Sequence, residues 1–269
     1  FGKWAPPHSL VTTDPLGRTM VEGLGAVMPL DKPSAPSGLR RVFMVDRPGA
    51  AQSVIRVQFP LPLQPKDLRA QQAQVMNTIL GGGIFNARLM QNLREKHGYT
   101  YGCYSSLEVD RFNSSLVVST SVRTEVTDSA VAEIIGEMER MRTEPVTAEE
   151  LELAKKSMMG SFGRGLEDPR TVARFALNIR LNDLQPDHYR TYLSRLASVD
   201  AQQIMDAANA FLYPDQAVIL VVGDMERKAV AMRRLSMEVS NPVVRLTEDG
   251  ELWDEVLVPV PGRTAQQVV

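Results

Sequence analysis

The chain has 269 residues, 43% of them hydrophobic and 23% charged, and a formal net charge of -2. That length and balance suit one large or two small globular domains that bury a core without staples. Positive charge is not clustered, no apolar run approaches the roughly 20 residues that span a bilayer, and Cys103 is the single cysteine. The composition therefore argues against a nucleic-acid groove, a membrane-spanning helix and an internal disulfide.

Residues 1–38 read as an extended, proline-rich lead-in, because Pro6, Pro7, Pro15, Pro29, Pro33 and Pro36 interrupt any helix. The chain starts at Phe1 rather than Met, which reads as a processed chain or an excised piece, and the single cysteine leaves periplasm and cytosol both open. A domain is expected over 39–250 and a tail over 251–269. Strands are expected at 41–46 and 52–59, separated by the turn Arg47-Pro48-Gly49. A helix is expected over 66–80, with Leu68, Val75, Met76, Ile79 and Leu80 near a 3.6-residue period.

A second helix is expected over 85–96 with Leu89 and Leu93 on one face, then strands at 99–109 and 114–122. The latter alternates Leu116, Val118, Thr120 and Val122, as a half-buried strand does. A helix over 126–142 carries Val131, Ile134, Ile135, Met138 and Met141 in one stripe. Thr147 and Glu150 have capping-box spacing for the next helix. Asp168-Pro169 opens another, with Val172, Phe175, Ala176 and Ile179 expected inward. Helices at 189–196 and 200–212 follow. The apolar run 216–223 reads as a strand buried on both faces, and a helix (225–234) and strand (237–246) close the domain. This order predicts an α+β fold: an antiparallel or mixed sheet with helices packed on one face.

The histidines are His8, His97 and His188, and no His-Glu-x-x-His or His-x-x-Glu-His can be drawn from them. No metal site is expected in the chain, because zinc needs three or four converging ligands. Gly81-Gly82-Gly83 lacks the continuation of a phosphate loop. It reads either as a helix stop and turn or as a place where backbone can approach a bound peptide. Arg94, near a helix end, is followed by Gly98, Tyr99 and Tyr101. If 99 and 101 lie in a strand they share a face. Arg94 could then stand near one tyrosine, a cation beside a phenol donor, which is the equipment for stabilising an oxyanion. The alternative is a surface arginine and packed strand tyrosines.

The segment 76–104 resembles the C-terminal-type domain of the pitrilysin/insulinase family, which includes mitochondrial processing peptidases and many bacterial zinc proteases. The family stretch N-x-x-L-G-G-G-x-x-S-R-L-x-x-x-L-R-E-x-x-G-x-x-Y is matched at Asn77, Leu80, Gly81, Gly82, Gly83, Arg88, Leu89, Leu93, Arg94, Glu95, Gly98 and Tyr101. Ala87 stands where serine is usual. Asp46 to Gln52 looks like the family's opening hairpin, Thr147 to Lys155 its helix start, and Val221 to Asp224 its penultimate strand. Phe1 to Trp4 looks like the end of a preceding domain.

The resemblance implies a domain that carries no zinc itself and closes a peptide chamber against a zinc-carrying domain or subunit. Zinc is expected in that partner. By motif position Arg94 and Tyr101 fall on the transition-state-stabilising pair, with Tyr99 as the fallback, and Gly81, Gly82 and Gly83 on substrate binding. A peptide is the expected substrate, nucleic acid is not an expected partner, and the isolated chain is expected to be inactive. A bacterial periplasmic or envelope setting is the family's habit. The rival readings are a catalytically silent structural homologue, like the respiratory-complex core subunits, and a stand-alone peptide-binding module.

Overall fold

The structure, a computed structural model, describes residues 11–13, 19–21, 35–36, 39–224, 243–246 and 252–256. Strands β1 (Val11–Thr13) and β2 (Thr19–Val21) pair as an antiparallel ribbon inside the expected lead-in. The main sheet is built from β3 (Arg41–Asp46), β4 (Gln52–Leu61), β5 (Cys103–Glu108), β6 (Ser114–Arg123), β7 (Val218–Gly223), β8 (Val243–Leu246) and β9 (Leu252–Val256). Its order is β5-β6-β4-β7-β3-β8-β9. Strand β3 runs parallel to β7 and β8 and the other pairs are antiparallel, so the sheet is mixed. Strand β9 lies in the stretch expected to be a tail.

One face of the sheet is sealed, and the other is largely exposed along β4 and partly covered on β3, β6 and β7 among the described residues. In β4 the side chains of Ser53, Ile55, Val57, Phe59 and Leu61 are buried, while Val54, Arg56 and Pro60 between them are exposed. Period-2 alternation thus delivers a single apolar face. The helices are α1 (Ala70–Leu80), the short α2 (Arg88–Met90), α3 (Thr127–Thr143), α4 (Ala148–Gly165), α5 (Pro169–Leu181), α6 (Tyr192–Ser198) and α7 (Ala201–Phe211); α1, α2 and α3 meet the strands, and α4, α6 and α7 pack on α1. Helix α1 touches α4, α7 and β5, which makes it the central element of the helical layer. The expected stripe on α3 is buried throughout, as are Leu89 and Leu93. Thr147 and Glu150 form the capping box, and Asp168 accepts from the Arg170 amide ahead of α5.

Several elements differ from expectation for identifiable reasons. Helix α1 begins at Ala70 instead of 66, because Asp67 accepts from the Arg69 amide at 2.8 Å and from its guanidinium, forming a turn that leaves Leu68 exposed. Helix α5 is rotated: Val172 and Ala176 are exposed, and Phe175 and Ile179 are half-buried. The helix docks through Phe175, stacked 3.7 Å from Tyr189 and 5.8 Å from Phe162, and through Asn178, which donates to the Tyr189 hydroxyl. The helix expected from Tyr189 starts at Tyr192. Strand β7 is fully buried only at Ile219, Val221 and Gly223; its other face is half-covered, because the helices lie on one side. The expected helix over 225–234 lies outside the described residues.

Candidate functional site

The candidate site is the 76–104 segment, which leaves α1, crosses to α2 and turns into β5. Its first part is fixed by packing. The Asn77 carbonyl accepts from the amides of Gly81 and Gly82 at 2.9 and 2.8 Å. The Gly81 carbonyl accepts from the Ser105 amide at 2.9 Å, which ties the end of α1 to edge strand β5. A Cβ on Gly81 would stand 2.7 Å from the Ser105 nitrogen, and one on Gly82 2.7 Å from Thr78 Cα. Both glycines are therefore required by close approach. Gly83 is different: its φ is +94° and nothing lies within 4 Å of where a Cβ would be.

Arg88 anchors the start of α2. Its Nε and Nη2 donate to the two carboxylate oxygens of Glu150 at 2.7 and 3.0 Å. Glu150 also accepts from the Thr147 amide at 2.8 Å. Burial pushes the Glu150 carboxyl up, but the Arg88 hydrogen bond and charge and the Thr147 contacts outweigh it and hold it below its usual range.

The expected continuous helix over 85–96 does not form. After α2 the chain widens into a π-helical turn over Gln91–Lys96, with the His97 amide donating to the Asn92 carbonyl at 3.1 Å. π-Turns are rare and concentrate at functional sites. The buried Asn92 side chain donates to Glu133 at 2.9 Å and to Glu137 at 2.7 Å. Gly98, with φ +60°, ends the turn in a left-handed conformation that favours glycine.

The strand expected from 99 begins only at Cys103, so Tyr99 and Tyr101 precede it and do not share a strand face. Tyr99 is half-buried and its ring stacks on His97 at 4.9 Å. Tyr101 is 89% exposed. Its turn is pinned: the Gly102 amide donates to Thr100 Oγ1 at 3.0 Å, and Thr120 Oγ1 donates to the Gly102 carbonyl at 2.8 Å. Arg94 is partly exposed, lies 5.2 Å over the Phe85 ring and is 3.4 Å from Glu95. Arg94 and Tyr101 thus stand on one short segment, each open to solvent, with no hydrogen bond joining them. Spacing alone missed Phe85 beneath Arg94 and Glu150 against Arg88; the latter is a pairing across 62 residues.

Among the described residues no group of three or more His, Cys, Asp or Glu side chains could hold a metal ion. His97 meets Glu133 at 3.7 Å and His188 lies beside Tyr189, so these two histidines do not converge. No helix among the described residues is long and apolar enough to cross a membrane.

The family model for the peptidase M16 inactive domain matches residues 7–158. The chain belongs to this family. It is the family that the 76–104 motif resembles, and the α+β fold is the one its M16 relatives share. An uncharacterized zinc protease of Mycobacterium tuberculosis is 28% identical over 152 residues, covering 56% of this chain and 34% of that protein. An uncharacterized zinc protease of Mycobacterium leprae is 27% identical over 171 residues, covering 62% of this chain and 37% of that protein. The chain thus spans little more than a third of these relatives. The crystal structure of a peptidase M16 inactive domain from Pseudomonas fluorescens superposes with a TM-score of 0.66 at 22% identity, covering 72% of this chain and 45% of that one. A Helicobacter pylori protease superposes with a TM-score of 0.61 at 14% identity, covering 68% of this chain and 44% of that one.

Proposed function

We propose that this M16 inactive domain is the non-zinc part of a zinc-dependent metallopeptidase, closing the peptide chamber opposite a zinc-carrying domain or subunit. The observation that carries the reading is the presentation of Tyr101, an aromatic residue 89% exposed on a turn held by Thr100 and Thr120. A tyrosine with only a packing role would bury its ring, since the apolar body is what stabilises it. A fixed turn that presents a phenol to solvent suits a group awaiting a partner. Zinc, for which the described residues hold no ligand group, would be held by the partner and would polarise the scissile carbonyl.

What this chain supplies is a cation and a donor. Tyr101 donates its phenolic proton in a hydrogen bond to the oxygen of the carbonyl under attack, as negative charge grows there. Arg94, which stays charged at any working pH, adds a permanent positive field from the same segment. Tyr99, stacked on His97, is the weaker candidate. Of the glycine run, Gly83 has the open space that a peptide backbone needs, and Gly81 and Gly82 serve packing. Residues 39–250 are the unit we assign to this role. The names of the mycobacterial relatives, zinc proteases of which the matched segment covers little more than a third, agree with a two-part enzyme.

The test is reconstitution. The 269-residue chain is mixed with the zinc-carrying domain of the same protein, or with the partner subunit if the two are separate. Peptide hydrolysis should require both and stop on zinc chelation. Hydrolysis by either part alone at the full rate would refute the reading, and binding without hydrolysis would favour the silent structural homologue.

A further inference from the structure

The contacts of Arg94 differ from those of other arginines in the chain. Arg88 spends two donors on Glu150. Arg69 and Arg111, which also lie over phenylalanine rings, spend donors on Asp67 and on the Leu181 carbonyl. The Arg94 guanidinium makes no hydrogen bond among the described residues: its centre stands 5.2 Å from the Phe85 ring, and its Nε is 3.4 Å from Glu95. Phe85 is 57% exposed, so less than half of it is covered by packing. Its backbone is nevertheless fixed. The Ala87 amide donates to the Ile84 carbonyl at 3.1 Å, and Gln91 Nε2 donates to the Phe85 carbonyl at 3.2 Å. The π-helical turn carries both Gln91 and Arg94, so it brings two side chains to Phe85, one to its backbone and one to its ring. Asn92 pins that turn to α3 through Glu133 and Glu137.

A cation over an aromatic ring is attracted by the negative face of the ring, and no N–H is consumed. All five donors of the guanidinium therefore stay available, whereas a carboxylate partner takes two of them in a fork. Glu95 is the competing partner, adjacent in sequence and already near. An Arg94 that closed on Glu95 would lose those donors and much of its positive field. We propose that Phe85 is a positioning residue for Arg94: its ring holds the guanidinium off Glu95 and keeps its donors free for the bound peptide. The inference rests on the reading above that Arg94 acts on that peptide, and adds the group that aims it. Loss of the ring should cost about 2- to 30-fold in rate, the low end for a contact open to water and the high end for one enclosed by a closed chamber.

Two measurements test it. In the 269-residue chain, the Arg94 side-chain protons should carry an upfield ring-current shift in NMR that Phe85→Leu removes and Phe85→Tyr keeps. Unchanged Arg94 shifts in Phe85→Leu would overturn the proposal without reference to catalysis. In the enzyme assembled with its zinc-carrying part, Phe85→Leu should lower kcat about 2- to 30-fold with KM little changed. Its melting temperature should stay as it is, because the ring is exposed. Phe85→Tyr should hold the rate, since it keeps the ring face. Adding Glu95→Gln to Phe85→Leu should recover part of the loss, because the competing carboxylate is gone. In an Arg94→Met background, Phe85→Leu should have no further effect. A loss of equal size in that background, or a raised KM at unchanged kcat, would make Phe85 a substrate contact and overturn the proposal. Wild-type kcat in Phe85→Leu with Arg94→Met impaired would overturn it and leave the peptidase reading standing. Full activity in Arg94→Met, or no hydrolysis by the assembled wild type, would remove that reading and the proposal with it.

Discussion

Replacing Arg88 with Met probes the joint that holds the motif to the rest of the domain. The guanidinium is two-pronged on Glu150, with its side chain 4% and that of Glu150 22% exposed. Methionine keeps the length of the stem and removes the charge. Glu150 then stays partly desolvated with only its Thr147 contacts. Breaking a buried pair by deleting one partner costs about 3–5 kcal/mol, and the partial exposure of Glu150 argues for the low end, about 3 kcal/mol. With a urea dependence of about 2 kcal/mol per M, the unfolding midpoint should fall by about 1.5 M at pH 7. The effect should also depend on pH. Glu150 titrates below its ordinary 4.5 in the folded wild type, so the stability it confers is present above 4.5 and lost as pH falls through the lower folded value. Without Arg88 the carboxyl loses its main lowering partner and moves up from its wild-type value, so the gap between variant and wild type should narrow as pH falls through the interval between the two folded values. Adding Glu150→Gln to the variant should recover part of the loss, because glutamine still accepts from the Thr147 amide. A midpoint shift under about 0.3 M, or a gap that stays constant from neutral to acid pH, would refute this account of the joint.

Other outcomes follow from the same geometry. Gly81→Ala should cost about 1–3 kcal/mol in urea unfolding, because its methyl would press 2.7 Å from the Ser105 nitrogen. Gly83→Ala should cost about 1–2 kcal/mol, from the positive φ alone with no clash, and should act on peptide turnover in the reconstituted enzyme more than Gly81→Ala acts beyond its stability loss. Cys103 is fully buried, and burial pushes its thiol up to about 12 against an opposing Thr120 hydrogen bond. It should therefore resist a thiol-specific dye in the folded chain at pH 8 and react at once in urea; immediate labelling of the folded chain would place it elsewhere.

Elements whose pattern is set by a single apolar face were legible in the sequence. The α3 stripe, the alternation of β6 from Val118 onward and the Thr147 capping box depend on local spacing and stand where spacing puts them, whereas Ser114 to Val117 of β6 are all buried. The differences arise where tertiary contacts override spacing. Helix α5 carries apolar residues on more than one side, and aromatic stacking on Tyr189 decides which side faces in. The π-turn inserts one residue into the 3.6-residue period, which no apolar pattern signals. At the site, Arg94, Gly98 and Tyr101 could be picked out, but their arrangement could not, because the strand start moves from 99 to 103.

The measurement that bears most directly on the central claim is the steady-state kinetics of Tyr101→Phe in the reconstituted enzyme. The change removes one hydroxyl from an exposed ring, so folding and zinc content should stay as they are. If Tyr101 donates to the growing oxyanion, kcat should fall about 100- to 1,000-fold with KM little changed. Arg94→Lys should also lose activity, because lysine lacks the planar fork. Full activity in Tyr101→Phe with loss in Tyr99→Phe would move the role to Tyr99, and full activity in both would contradict the claim.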